Sequence, residues 1–423
     1  MIRANRSVGD TVPSLSRELV VARRILHEMM PLVVLYKNQQ MRTSDSDFLA
    51  RIGKRNGIDV VACDEETLLS LFADQGIPKR FVDMLSAPAL SYAGSWLVCL
   101  LLASALGASF IHFRDSDVKL QNRTRRGETE ALFPILYEVP LLGRKVSEIK
   151  RLKWVTVQKK CRGRVSYVTG LWTGDPPIDA SILGAERIRR IFQARRGTEF
   201  SRRLLMLSTF AEYESHEIRA QVGLQSRLGL GMNFALGPEY LKVCNPLIPE
   251  TLGLDDYFCV RFLTRVLGKP GAVHNATIGH YRRARDQRQY ASYCVSLLRQ
   301  VDVDLLLDFV FRRATSRLHR SVSVKRFISS ARALFVEGEV HRLRDQRLNR
   351  LRNGIAVMQE ARCAEIEDAL RRVRPIDLVE QIDRSLLEYL DLLTQWKRLV
   401  NLADGIDIGA FKLVSVKDSG VTQ

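Results

Sequence analysis

Apolar positions recur along this chain with two different periods. In the first quarter they form short continuous runs separated by helical stretches. Residues 31–36 (Pro-Leu-Val-Val-Leu-Tyr), 60–63 and 110–113 have the length and continuity of buried strands. Residues 13–27, 48–54 and 91–106 carry helix signals. Residues 1–6 supply a short first strand ending in Ala4-Asn5-Arg6. Strand alternating with helix predicts an α/β fold, a mostly parallel sheet with helices on both faces.

Further on, residues 133–139, 154–157 and 165–172 read as strands, and residues 229–235 as a glycine-permissive loop entering a strand. The polar, Arg-rich residues 119–130 read as a mobile loop, and Gly174-Asp175-Pro176-Pro177 as a turn. Residues 187–213 read as a basic helix. From residue 290 the pattern is almost entirely helical. There Ile382, Leu386, Tyr389, Leu393, Trp396 and Val400 step by alternate fours and threes and define one apolar face. The expected organisation is a sheet domain over 1–289, an all-helical C-terminal region over 290–404, and a tail over 405–423 with a short strand near 411–416.

The apolar fraction of 46% and charged fraction of 26% are those of a folded soluble protein. The seven scattered cysteines contain no Cys-x-x-Cys, which argues for reduced thiols in a cytoplasmic protein and against a zinc site. The polar, charged N-terminus does not read as a secretory leader. The longest apolar run, 96–111, is too short for a membrane span and is broken by Gly107. The net charge of +18 fits three kinds of partner: nucleic acid, an anionic membrane surface or phosphorylated small substrates. A generally Arg-rich composition would produce the same total. Residues 311–375 concentrate the excess, with 16 Lys and Arg against 7 Asp and Glu.

Candidate chemistry begins with Asp115-Ser116-Asp117, directly after the strand at 110–113. Ligand sites of open α/β sheets lie at the carboxyl ends of strands. Two carboxylates one residue apart there can converge on a hard divalent cation, Mg or Mn, which in turn can hold a diphosphate. The same spacing occurs at Asp45-Ser46-Asp47 and Asp302-Val303-Asp304, but both precede apolar-periodic runs and read as helix caps. A second acidic site, Asp255-Asp256, opens an apolar helix running to about residue 266, where plain capping is the competing reading. His280 follows Gly279 and precedes Arg282, Arg283 and Arg285, a basic segment suited to a diphosphate.

Taken in order, these residues resemble the GT-A class of nucleotide-diphospho-sugar glycosyltransferases over residues 1–285. The resemblance is carried by Asn5-Arg6, Arg114-Asp115-Ser116-Asp117 after a Gly-Ala turn at Gly107, Gly231-Met232-Asn233, Asp255-Asp256 and His280. It implies a GT-A-like (Rossmann-like) fold in which Asp115 and Asp117 hold a metal bridging the donor diphosphate, Asp117 more directly, with His280 completing the shell. Asp256, beside Asp255, would be the base toward the acceptor hydroxyl. Asn5, Arg6, Asp64, Arg114, Asp115, Gly231 and Asn233 would contact the donor. The chain departs from the class in having Asp at both positions of the acidic pair, and in lacking an Arg-Asn pair at the start of the helix before Leu101.

The expected function is therefore metal-dependent transfer of a sugar from a nucleotide-diphosphate donor. The acceptor is expected to be anionic or phosphorylated and to lie against the basic C-terminal helices; peripheral contact with a membrane is a further option. A nucleotidyltransferase would normally carry a Gly-rich, Lys/Arg-containing loop after its first strand, and Asn5-Arg6-Ser7-Val8-Gly9-Asp10 is a poor version of one. A nucleic-acid-binding or structural role lacks support from aromatic-studded basic strands or zinc spacing.

Overall fold

In the computed structural model the described residues are 1–4, 8–9, 11–37, 41–86, 91–116, 118–125, 128–159, 161–174, 217–224, 233–239, 244, 259–280, 288–316, 323–359 and 364–414. The N-terminal elements alternate as β1 (Ile2–Ala4), α1 (Thr11–Leu26), β2 (Leu32–Tyr36), α2 (Thr43–Asn56), β3 (Val60–Asp64), α3 (Glu65–Asp74), α4 (Lys79–Ser86), α5 (Ser91–Ala105) and β4 (Ile111–Asp115). Every residue of β2 and all but the last of β3 are buried, as expected for strands covered on both faces. Strands β1 to β4 are mutually parallel in the order β3-β2-β1-β4.

Beyond β4 come β5 (Val118–Leu120), β6 (Asn122–Arg125), β7 (Glu128–Ala131), α6 (Ile135–Glu138), α7 (Val146–Ile149), β8 (Val155–Val157), β9 (Tyr167–Gly174), β10 (Ala220–Gly223), β11 (Asn233–Leu236) and β12 (Gly271–His280). They continue the sheet as β4-β11-β9-β12-β10-β8, with β5 laid against the end of β12. Strand β11 runs antiparallel to both β4 and β9, so β9 and its parallel neighbour β12 point the same way as β4. The sheet is thus mixed rather than mostly parallel, and strict parallelism is confined to its first four strands.

Two local expectations are corrected. The segment expected as a mobile loop holds the hairpin β6-β7, whose register opposes Arg123 to Glu130 and Arg125 to Glu128, pairs of opposite sign. The segment 133–139, expected as a strand, turns helical at Pro134, whose carbonyl accepts from the N–H groups of Tyr137 and Glu138.

The C-terminal helices are α8 (Arg288–Ser316), α9 (Val324–Val336), α10 (Glu339–Arg342), α11 (Arg344–Gln359), α12 (Ala364–Arg371) and α13 (Pro375–Asp404). All six residues of the stripe in α13 are buried. One continuous apolar core runs from Trp96 and Leu100 of α5 through Phe262 to Phe311, Phe327 and Trp396. Ser104 of α5 donates to the carbonyl of Val400 in α13. The helical region therefore shares its core with the sheet, because the apolar face of α5 is covered by α13. The chain then returns to the sheet: β13 (Lys412–Val414) pairs antiparallel with β3, so the first part of the expected tail is an edge strand.

Asp302, expected to cap a helix, lies inside α8 at 2% exposure and takes both Nε and Nη2 of Arg347. Arg347 also reaches Asp383, which ties α8, α11 and α13 together. Other arginines of the basic region pair between helices, Arg332 with Asp391 and Arg344 with Glu380. Among the described residues no helix is long and apolar enough to cross a membrane.

Candidate functional site

Strands β1, β2 and β3 progress to one side of β1, and β4 lies on its other side. The order reverses between β1 and β4, and the crevice outside the carboxyl ends of these two strands is where an open α/β sheet accepts a ligand. Asp115 is the last residue of β4, half-buried, opposite Arg3 of β1 in register. Side chains alternate along β4. Ile111 and Phe113 face the core under α5, while His112 and Arg114 face α1 and α6. Asp115 thus stands on the α5 side of the sheet edge.

Strand β5 starts three residues after Asp115 and pairs antiparallel with the end of β12, with Val118 opposite His280. Three residues span at most about 11 Å. The chain therefore passes from the end of β4 to the end of β12 in one short step, although β11 and β9 lie between them in the sheet. The register of β12 against β9 shifts before that end. His274 pairs with Gly170 and Ile278 with Trp172, so four residues of β12 run beside two of β9. This is a bulge, and it re-aims the strand end.

Beneath that edge lies a buried polar cluster that sequence reasoning missed. Glu138 of α6 is fully buried. It accepts from Arg114 Nη2 at 3.0 and 3.1 Å, lies 2.5 Å from His112 Nδ1, and sits 3.7 Å from His274 Nε2. Glu18 of α1 takes Arg114 Nη2 at 3.0 Å and also the N–H of Ile135. Burial alone would raise the Glu138 carboxyl. The Arg114 guanidinium and the neighbouring imidazoles of His112 and His274 together outweigh burial and hold the group well below the usual carboxylate range. The available signal was the alternation Ile111-His112-Phe113-Arg114, which places two polar side chains on one face of a buried strand.

The cluster revises two expected donor contacts. Arg114 is 4% exposed and bound to Glu18 and Glu138, so its guanidinium holds α1 and α6 against β4 rather than facing the crevice. Asn233 is fully buried on the same face, and its Nδ2 donates to the carbonyl of Ala276 within the bulge. Asp64, at the end of β3, caps α3 by accepting from the N–H of Thr67. Asp45, expected to cap a helix starting at residue 48, lies inside the first turn of α2, which starts at Thr43, and accepts from the N–H of Arg42. Asn5, Arg6, Asp117, Gly231, Asp255 and Asp256 lie outside the described residues, as does the side chain of His280. Among the described residues, no three or more His, Cys, Asp and Glu side chains gather as a metal site.

The chain belongs to DUF6271, a family of unknown function whose model matches residues 1–410. That span takes in the sheet, the helical region and the first residues that lead into β13. No curated protein matches the chain.

Proposed function

We propose that this DUF6271 member is a metal-dependent glycosyltransferase with a GT-A-like sheet, moving a sugar from a nucleotide-diphosphate donor to a hydroxyl acceptor. What supports the reading is one observation: Asp115 ends β4 at the reversal of strand order, and the strand that leaves it lies against His280. Residues far apart in the chain are thereby brought to one sheet edge, beside a crevice of the kind that holds nucleotides.

In this reading Asp115, Asp117 and His280 hold the metal. When bound, it supplies Lewis-acid stabilisation of the departing diphosphate. Asp256 takes the proton of the acceptor hydroxyl on a carboxylate oxygen. The acceptor oxygen then bonds to the anomeric carbon as the bond from that carbon to the diphosphate breaks. The basic helices after residue 288 favour an anionic acceptor.

The test is thermal unfolding and nucleotide-sugar hydrolysis with and without Mn. A nucleoside diphosphate with Mn at a hundred times its dissociation constant adds about 2.7 kcal/mol of stability. UDP or GDP with Mn should raise the melting temperature, and Asp115→Asn should abolish both that rise and Mn-dependent hydrolysis. Absence of any nucleotide-dependent rise, or full hydrolysis by Asp115→Asn, overturns the assignment. Salt-sensitive retention on DNA without nucleotide binding would favour the nucleic-acid reading instead.

A further inference from the structure

Between α8 and the start of α11 lies a cavity of about 230 Å³. One wall is apolar, made by Leu305, Leu306 and Phe309 of α8 with Leu343, the residue just before α11. The other wall is polar, made by Arg312 of α8 with Gln346, Arg347 and Arg350 of α11. Positions 305, 309 and 312 on one helix, and 343, 346, 347 and 350 on the other, step by threes and fours, so one face of each helix lines the cavity. Among the described residues, no carboxylate lines it.

The carboxylates behind the cavity are already shared. Asp302 and Asp383 both bind Arg347. Asp308 faces three guanidiniums, Arg265 at 2.5 Å, Arg312 at 3.0 Å and Arg261 at 3.7 Å. Arg347 is 1% exposed, and a guanidinium carries five N–H donors. Asp302 takes the Nε donor and one from Nη2, and Asp383 takes one from Nη1. One N–H on each terminal nitrogen is left with no partner among the described residues. Buried donors left unmatched are costly, and these border an open volume. Arg344 and Arg347 also stand in the first turn of α11, where the helix dipole disfavours cations and favours anions.

We propose that this cavity is a binding site for a small phosphate monoester with an apolar organic part. A guanidinium grips phosphate oxygens through paired N–H bonds, and three of them line one wall. Near neutral pH such a phosphate carries about −1.5 to −2 charge. The three leucines and Phe309 take the organic part out of water. An apolar cavity of about 150 Å³ holds a benzene. The larger volume here has the size of one ring with its phosphate. Every residue lining the site belongs to the helical region and none to the sheet edge, and the proposal does not rest on the function proposed above.

The experiment is isothermal titration calorimetry of the full chain with phenyl phosphate, with inorganic phosphate as a second titrant and circular dichroism to establish folding. Phenyl phosphate should bind about 10–100-fold more tightly than inorganic phosphate, as burial of an aromatic ring predicts. Arg350→Gln removes one guanidinium and should weaken phenyl phosphate binding about 10–100-fold. Gln346→Trp, at an exposed position on the rim, should fill the cavity and abolish binding. Arg326→Gln changes an exposed arginine of α9 that does not line the cavity and should leave the affinity unchanged. If Arg350→Gln does not fold, Arg312→Gln, at a side chain 67% exposed, takes its place with the same expectation. Absence of binding by the parent chain at millimolar phenyl phosphate, equal affinity for inorganic phosphate, or parent-like binding by folded Gln346→Trp overturns the proposal. So does an equal loss in Arg326→Gln and Arg350→Gln, which would mean attraction to the net charge of +18 and not to this site. Retention on DNA without phenyl phosphate binding would assign these arginines to a nucleic-acid surface and overturn it as well.

Discussion

Replacing Glu138 by Gln removes one charge from the cluster beneath the sheet edge while keeping the side-chain shape. Arg114, 4% exposed, then has Glu18 as its one remaining carboxylate among those described, at 3.0 and 3.3 Å. Breaking a buried pair by removing one partner costs about 3–5 kcal/mol. Because Glu18 stays in place, the lower figure applies, about 3 kcal/mol. Unfolding entropy near 2.1 cal/mol/K per residue gives about 0.9 kcal/mol/K for 423 residues. The melting temperature should therefore fall by about 3 °C at neutral pH.

The pH dependence of that difference follows from the Glu138 carboxyl, which is held below its ordinary value in the folded chain. A folded-state value below the unfolded one favours folding at every pH above the unfolded value, about 4.3, and the benefit is lost as pH falls through the folded value. The gap between parent and Glu138→Gln should be widest near neutrality and should narrow below about pH 4. Scanning calorimetry across pH 7 to 3 measures it. A shift under about 1 °C at neutral pH, or a gap that does not narrow in acid, would refute the account.

Asp302→Ala leaves the buried Arg347 with Asp383 as its one remaining carboxylate among those described, and should lower stability by about 3–5 kcal/mol in denaturant unfolding; a loss below about 1 kcal/mol would mean that α8 and α11 do not depend on the pair. Trp396→Ala opens a cavity between α13 and the shared core and should cost about 3–5 kcal/mol in the same assay. A chain ending at Gln289 should not fold, since it loses α13 from the face of α5; a cooperative melting transition in that fragment would show that the sheet is self-sufficient.

Local pattern alone located β2, β3, β4 and α1, and it placed the apolar stripe of α13 on one buried face. It also put Asp115 at the end of a strand, because a carboxylate after a buried apolar run marks where the strand leaves the core. These properties depend on residues a few positions apart, within reach of a period of 2 or 3.6. The misreading of 133–139 has the same origin. Five of its seven residues are apolar, which leaves strand and helix indistinguishable by period, and Pro134 decided for the helix.

What the tertiary structure alone decided are the relations across long separations. Arg114 is 96 positions from Glu18 and 24 from Glu138, and nothing in its neighbourhood along the chain shows that both carboxylates are waiting for it. Asn233 reads as a residue in a glycine-rich approach to a ligand, yet it lies 43 positions from the bulge carbonyl to which it is bound. The pairing of His280 with Val118 lies beyond a two-residue irregularity in β12, and a bulge has no period to detect. Hydrophobic pattern specifies which face of an element is buried. Which buried polar groups meet there is set by strand order and register, and those exist only once the sheet has assembled.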